Sequence, residues 1–554
     1  MPAVDRRAAL LGLLTVLAAN ALYLAGLPSI LDALLSMDPF YMRLAGLPAA
    51  ELIGQDPSWG PLYAWWFKPL RAAFGDPLAI NTANVVALSL GVTLALYGYV
   101  LVLTRRAAPA VGVALAYLIS DFNLPLSGKV SSFALLVLLI GLTAAALLRP
   151  GARRLSGTAL VAALAGYARP ELYPAGVALA AWALWRVRHE PQRNWAWPIG
   201  AGLAIAAAAV ALGVPLYSPH DDASRLLIAF REHFAWNWVR WHHVVDYRTI
   251  WQSTFGDATS LSAALLANPL AFASHLAINL AMTVWFLAAT AFDHYPVLVP
   301  ANLPRLVHAE NLAAAAVAVG ILAVVLRTPT HRRAWLGRHG ETLRIHALIA
   351  ASPLVASIVI YPVTHYLLIP AVLLFVAVGL AATQLMPAAA LSRPRAGLLA
   401  ALLCLAAMPR PFVLPAAERT GASFVGRINV TRPVHDTVAY IRGLGLPAPV
   451  QVLTVTDGLG DLLGDGFEEL KAWQVDQPLE SYLAKHGVDL IVSLDPGKYS
   501  FMLPDEYWPK LQEDPAAGGF AQLKVPNHPE ISLYVRRELV ASPSPPPSRA
   551  STRP

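Results

Sequence analysis

Residues Ala8 to Pro28 read AALLGLLTVLAANALYLAGLP, 21 residues without a charge. A helix needs about 20 predominantly apolar residues to cross the hydrocarbon of a bilayer, so this run reads as a first membrane span. Arg6 and Arg7 precede it, as basic residues precede the apolar core of a secretory signal. The run is longer than such a core and no small-residue cleavage site clearly closes it, so an uncleaved first helix is expected. Shortly beyond it, SMDPFYMRLAG (Ser36 to Gly46) places a carboxylate, Asp38, at the lip of the bilayer.

The rest of the chain has the same character. Of 554 residues, 56% are hydrophobic and 14% charged, with a mean hydropathy of +0.52. Soluble domains carry roughly 25% charged residues. A chain this apolar does not pack into one soluble core, and a polytopic membrane protein follows. Further apolar segments lie near 79–103, 107–121, 130–148, 155–168, 172–187, 196–216, 270–292, 311–326, 345–362, 365–386 and 396–409. Several are short for a straight span, which broken or tilted helices inside a bundle tolerate. The single cysteine, Cys404, excludes a disulfide or a cysteine-based metal site within one chain. No basic and aromatic module points to nucleic acid.

The net charge of +7 is clustered. Arg105 and Arg106, then Arg149, Arg153 and Arg154, then Arg186, Arg188 and Arg193, then Arg393 and Arg395 mark cytoplasmic turns. The stretch 327–344, with Arg327, Arg332, Arg333, Arg338 and Arg344, reads as a cytoplasmic loop in the same way. Two large outer loops remain, 29–78, with five acids against three bases, and 217–269. Two apolar segments separate 217–269 from 327–344, whereas opposite sides require an odd number of crossings. Either one segment is re-entrant, or HYPVLVPANLPRLVH (294–308) hides part of a span, or 327–344 lies outside.

From about residue 411 the composition changes. PVQVLTVTDG (449–458) and GVDLIVSLD (487–495) are short β-rich runs, and FAQLKVP and ISLYVRREL read as two late strands. Helical patterns lie near 433–444, 478–487 and 504–513. The expected fold is therefore a mainly α polytopic membrane bundle over 1–410, of about 11–13 spans. A small extracytoplasmic α/β domain with a partly parallel sheet follows over 411–540. The tail 541–554 is Pro/Ser-rich and expected to be disordered.

The first outer loop is the richest in chemistry. Asp38, Glu51, Asp56, Arg43 and Lys68 stand among Tyr41, Trp59, Tyr63, Trp65 and Trp66. Such aromatic density suits helices lying in the membrane interface. A carboxylate held there is placed to take a proton from an acceptor hydroxyl while a lipid-borne donor stays in the bilayer. Asp38 is the first candidate for this base and Asp56 the second. Both precede a proline, and both also suit a helix start, with Asp as N-cap and Pro at N1. GYARPELYPAG puts Arg169 and Glu171 between two short apolar segments. Ionisable groups at that depth are costly and point to function by default; a structural pair that closes the hairpin is the alternative.

These loops resemble a known superfamily. An acid just after the first span, followed by a tyrosine and a small residue (DPFYMRLAG), and then DPSWGPLY, resemble the first periplasmic loop of GT-C-fold glycosyltransferases. Protein O-mannosyltransferases and aminoarabinose transferases belong to that superfamily. The resemblance covers the whole layout: many spans, two large outer loops and a C-terminal extracytoplasmic domain. It implies hexosyl or pentosyl transfer from a polyprenyl-phosphate-linked sugar to a hydroxyl on a lipid, glycan or protein acceptor, outside a bacterial cytoplasmic (inner) membrane. By position the family's acid maps onto Asp38, as base or site organiser. A second family acid maps onto Asp121 in LISDFNLPLSGKVSS, which equally suits a helix-end turn. Lys129 in the same loop is a candidate cation for the leaving phosphate, or an interfacial lysine. Arg169 and Glu171 match a family Arg-Pro-Glu, the arginine for phosphate and the glutamate to fix it or a sugar hydroxyl. In YPVTHYLLIPAVLL the family's late arginine is replaced by His365, followed by Tyr366. Histidine is only partly charged near pH 7, so His365 either donates a hydrogen bond or the phosphate is held elsewhere.

In the second outer loop, Trp236, Trp238, Trp241 and Trp251 with Phe230 and Phe234 suggest an amphipathic helix on the membrane surface. His220, Asp221, Asp222, His242 and His243 invite a metal reading, but adjacent helical residues point about 100° apart and no H-x-x-x-H spacing supports zinc. No metal ligand is assigned, and a divalent cofactor stays open. TDGLGDLLGDG brings Gly458 and Gly460 after a strand, but the next glycine, Gly464, is one residue late for a nucleotide loop, so a surface turn is expected. The alternative functions are a membrane transporter or flippase, which predicts repeated halves that are not apparent, and a cell-envelope polymer ligase.

Overall fold

The computed structural model describes residues 5–25, 38–55, 57, 60–120, 122–123, 129–216, 225–242, 247–292, 309–385, 433–454, 458–472, 475, 477–493, 506–526 and 528–540. Helix α1 (Arg6–Ala25) starts at Asp5, whose carboxylate accepts from the N–H groups of Arg7 and Ala8 at 3.0 and 3.2 Å. The first outer loop contains three short helices, α2 (Asp38–Leu44), α3 (Ala49–Ile53) and α4 (Pro61–Ala73). Helix α5 (Pro77–Thr104) opens with Asp76 as N-cap, accepting from Ala79 N–H at 3.0 Å, and proline at its first turn. Then come α6 (Ala107–Ile119), α7 (Val130–Ala146), α8 (Ala152–Gly166), α9 (Tyr173–Val187) and α10 (Ala196–Leu212). The second loop carries α11 (Arg225–His242), α12 (Tyr247–Phe255) and α13 (Leu261–Ala267), before α14 (Pro269–Phe292), α15 (Ala309–Arg327), α16 (Pro329–Val359) and α17 (Thr364–Leu385).

Five of these, α1, α5, α14, α16 and α17, are long and apolar enough to cross a membrane. The protein is thus a helical membrane bundle with a small α/β unit at its C-terminal end. Most expected apolar segments fall on helices; 396–409 lies outside the described residues.

One expectation is overturned. The arginine-rich stretch 327–344 is no loop: α16 runs unbroken from Pro329 to Val359. Its 31 residues span about 46 Å at 1.5 Å per residue, more than the hydrocarbon thickness, so the charged half extends past the apolar half. Arginine is a good helix former, and the helix carries Gly337, Gly340 and Pro353 without a break. The charged half also meets the other arginine-rich turns. Glu341 accepts from Gly151 N–H at 3.1 Å and faces Arg154 at 3.7 Å, while Glu190 accepts from Ala152 N–H at 2.7 Å. These segments therefore share one end of the bundle, and 327–344 does not lie opposite the turns at 149–154 and 186–193.

Helices α8 and α9 form a hairpin made tight by small residues: Ala159, Ala162 and Ala163 of α8 and Ala175, Gly176 and Ala180 of α9 are all buried. At Gly176 a Cβ would come 2.6 Å from the backbone nitrogen of Ala163, so only glycine fits. Close backbone approach of this kind is how helices associate where no hydrophobic force acts between them and lipid.

The second loop corrects another expectation. Phe230, Phe234, Trp251 and Phe255 do not form an outward-facing apolar stripe; they are buried in a core of their own with Phe272 of α14. Phe230 and Phe272 stack at 5.1 Å. Trp236 and Trp241 have side chains outside the described residues, as do His242, His243 and His220 to Asp222. Helix α11 is pinned by Asn237, which donates to Asn279 Oδ1 at 2.8 Å, and Asn279 donates in turn to the carbonyls of Ile358 and Ile360.

The C-terminal unit begins with α18 (Pro433–Gly443), followed by β1 (Val450–Thr454), α19 (Leu459–Leu463), β2 (Phe467–Lys471), α20 (Leu479–Lys485), β3 (Leu490–Ser493), α21 (Tyr507–Glu513), β4 (Phe520–Val525), β5 (His528–Arg536) and α22 (Arg537–Val540). The sheet order is β2-β1-β3-β5-β4; β1 pairs in parallel with β2 and β3, and β5 antiparallel with β3 and β4. A partly parallel sheet was expected; β2 was not. Its FEELK carries three charges and no strong alternation, as befits the end strand of a sheet. The tail 541–554 lies outside the described residues.

Candidate functional site

The site lies at the tip of the α8–α9 hairpin, at the end of the bundle away from the arginine-rich turns. Each helix of the hairpin has 15 residues, about 22 Å, less than the roughly 30 Å of hydrocarbon. A hairpin this short keeps its tip among the neighbouring helices. Arg169 closes the tip by donating its N–H to Ala165 O at 2.8 Å, and a single 3-10 turn, Pro170–Leu172, leads into α9.

Arg169 and Glu171 form a buried ion pair. Nε and Nη2 of Arg169 both donate to Glu171 Oε1, at 2.6 and 2.5 Å, with side chains only 10% and 11% exposed. Nη1, the other arm of the guanidinium, makes no hydrogen bond among the described residues. The ring of Tyr366, in the first turn of α17, lies 5.1 Å from the guanidinium carbon. The carboxylate of Glu171, hydrogen-bonded to two guanidinium nitrogens, offsets the cost of burying the charge of Arg169. The hairpin is thereby a charged site inside an apolar bundle, stabilised by its own carboxylate. Ser352 of α16 donates to the backbone carbonyl of Glu171, tying the tip to a third helix.

The first outer loop covers this tip. Leu62 N–H donates to Tyr167 O at 3.2 Å, joining α4 to the end of α8. Tyr41 of α2, buried, packs on Tyr63 of α4 at 5.0 Å, and Tyr63 Oη accepts from Asn84 of α5 at 2.7 Å. Asp38 heads the same helix one turn before Tyr41. Its side chain lies outside the described residues, as do Asp56, Asp121 and Trp59.

The other candidates sit at this end of the bundle with different closeness. Lys129 immediately precedes α7; one turn on, Phe133 packs on Tyr63 at 5.3 Å. His365 is half-buried and stacks beside Tyr366 with ring centroids 4.4 Å apart. The contact with the guanidinium belongs to Tyr366. The structure therefore brings together Arg169, Glu171 and Tyr366, and links α2 to the start of α7, which Lys129 precedes, through the rings of Tyr41, Tyr63 and Phe133. Sequence reading missed Ser352, whose signal is a hydroxyl before Pro353 in an otherwise apolar run, and it gave Tyr41 no separate role. Among the described residues, no group of three or more His, Cys, Asp or Glu side chains is placed to hold a metal ion.

Beside the tip runs an apolar groove of about 320 Å³. Ile53 of α3, Trp65 of α4, Leu164 of α8 and Ile205 of α10 line it, and Tyr167 and Tyr173, which flank Arg169 and Glu171 in the chain, line it too. Its rim residues Ile53, Trp65 and Leu164 are exposed. Tyr167 Oη donates to Gly213 O at 3.0 Å, fixing the end of α10 to the tip.

Gly458 and Gly460 are not in a surface turn. Both are buried, and their N–H groups, which a nucleotide phosphate would need, donate to the carboxylate of Glu469 at 2.9–3.1 Å. No model of a known protein family matches the chain, and no curated protein sequence matches it.

Proposed function

We propose that this chain is an integral membrane glycosyltransferase of the GT-C-like kind, acting on a polyprenyl-phosphate sugar and a hydroxyl acceptor at the outer face of a bacterial cytoplasmic membrane. The observation that carries the reading is one juxtaposition: a buried guanidinium, faced by an aromatic ring, at a hairpin tip whose flanking residues Tyr167 and Tyr173 line an apolar groove. A lipid-borne phosphate has this same division, an anion joined to a long hydrocarbon chain. The groove suits the chain and the second arm of the Arg169 guanidinium, Nη1, the anion, with charge-assisted hydrogen bonds to phosphate oxygens.

In the proposed step Asp38 takes the proton of the acceptor hydroxyl. The oxygen forms a bond to the anomeric carbon as the bond from that carbon to the phosphate oxygen breaks. The electron pair leaves with polyprenyl phosphate, whose growing negative charge Arg169 stabilises more in the transition state than in the ground state. Glu171 orients Arg169, Tyr366 covers it, and Lys129 and His365 stand at the edge of the site.

The test is release of polyprenyl phosphate by the purified chain in lipid nanodiscs, given polyprenyl-phosphate sugars and an envelope extract as acceptor. The parent chain releases it, and Asp38→Asn lowers the rate by about 10² to 10⁴, the usual worth of a general base, with an unchanged unfolding temperature. A parent chain that neither transfers nor hydrolyses any such donor overturns the reading, and an undiminished Asp38→Asn variant removes Asp38 from the reaction.

A further inference from the structure

Helix α2 has seven residues, too few to hold a position by itself, so its place is set by what grips it. The bundle grips its C-terminal end. Lys68 Nζ donates to Ala45 O and Leu47 O at 3.2 and 2.6 Å, and Arg71 Nη1 to Met42 O at 3.1 Å. The first turn is gripped by the C-terminal α/β unit. Gly458, in the left-handed region at φ +86°, lies so close to the ring of Pro39 that a Cβ there would stand 2.7 Å from Pro39 Cγ. The same unit reaches the last turn of α2 as well: Asp461, with a side chain 10% exposed, faces Arg43 Nε at 3.4 Å. Glu469 of β2 clamps the docking loop through the N–H groups of Gly458 and Gly460. A second strut comes from Arg442 of α18. Its Nη1 donates to Asp76, the N-cap of α5, at 2.9 Å, while Nε and Nη2 donate to Leu463 O and Leu462 O at 3.0 and 2.6 Å. One guanidinium thus joins the docking loop to the bundle.

We propose that the C-terminal α/β unit is a positioning element: Gly458 against the first turn of α2 and Asp461 against its last turn set the helix, and with it Asp38 and Tyr41, against the Arg169 tip. The docking stands on these contacts alone; its consequence for turnover rests on the transferase reading given above.

The experiment uses the full chain in nanodiscs and reads two things, amide hydrogen exchange of 38–44 and the kcat and KM for a polyprenyl-phosphate sugar. Strand residues 450–454 and helix residues 77–104 serve as internal references. Gly458→Ala speeds exchange in 38–44 by about tenfold and leaves the references unchanged, as expected of a local opening. It lowers kcat by about ten- to a hundredfold, the scale of a misplaced catalytic group, with the donor KM little changed. Adding Pro39→Ala, which removes the ring that the new Cβ meets, restores part of both. Where Gly458→Ala also loosens 450–454, Asp461→Asn decides, since it removes a contact across the interface and leaves the loop's glycines intact. Unchanged exchange in 38–44 in both variants overturns the docking. Faster exchange with unchanged kcat overturns the positioning role. Faster exchange in variants of a parent chain that transfers no sugar upholds the docking and discards the transferase reading instead.

Discussion

Arg169 and Glu171 hold each other in place inside apolar surroundings, and each is costly without the other. Removing one partner of a buried pair leaves an uncompensated charge, at a cost of about 3–5 kcal/mol, whereas replacing both with apolar residues of similar size is often neutral. We therefore expect Arg169→Met and Glu171→Leu each to lower the unfolding temperature in detergent markedly, and the double variant to recover most of the loss. The double variant is also expected to release no polyprenyl phosphate. A folded but inactive double variant separates the site's chemistry from its structural role; a fully active one assigns the pair to structure alone. The pair itself was legible from the sequence, because two opposite charges flank a proline between apolar segments. That Tyr366 rather than His365 covers Arg169 was not, since adjacent residues on a helix differ by about 100° in direction and only packing chooses between them.

The α8–α9 hairpin is the element that decides where the charges sit. Its shortness is readable from the segment lengths, and its tightness depends on Gly176 against the Ala163 backbone. A larger residue there must push the helices apart. Overpacking of this sort costs about 1–3 kcal/mol. Gly176→Val is accordingly expected to lower the unfolding temperature and to weaken the cover of the tip, seen as increased fluorescence quenching of the first-loop tryptophans by a water-soluble quencher. Equal quenching would mean that the tip does not depend on the hairpin's close approach. Elsewhere at this scale, apolar periodicity located helices well but misjudged where they end. Charge ends an apolar run without ending a helix, so α16 absorbed a stretch that looked like a loop. Aromatic density likewise located α11 and α12 but could not tell a membrane-facing surface from a private core, because the same side chains suit both.

At the scale of the whole molecule, two carboxylates join the C-terminal unit to the bundle, and they respond to pH in opposite ways. Burial opposes the ionisation of Asp76, but its hydrogen bond to Arg442, the Ala79 N–H and the charge of Arg442 outweigh that and hold its pKa below the ordinary 3.8. The folded form therefore resists protonation. The contact is at full strength above 3.8 and is lost as pH falls through the lower folded value. Asp461 shows the reverse: burial lifts its pKa above 3.8 despite Arg43 and Lys471, so falling pH favours its docked form in the window above 3.8. The expected outcome is that Asp76→Asn speeds amide exchange of residues 433–443 at pH 7, and that parent and variant converge as pH is lowered from 3.8. A difference that persists below that window would show that Asp76 acts there by something other than its charge.

Composition and apolar run length by themselves determined that this protein lives in a membrane as a helical bundle, because water tolerates no such surface and lipid tolerates little else. Turn residues and β-branched runs were enough to place a small mixed sheet at the C-terminal end. Tertiary structure alone decided which charges meet, that Glu469 fills the glycine loop, and that the C-terminal unit rests on α2. Contacts such as Asp76 with Arg442, or Gly458 with Pro39, join residues hundreds of positions apart, and their geometry depends on how the helices pack. Local sequence pattern carries no record of that packing.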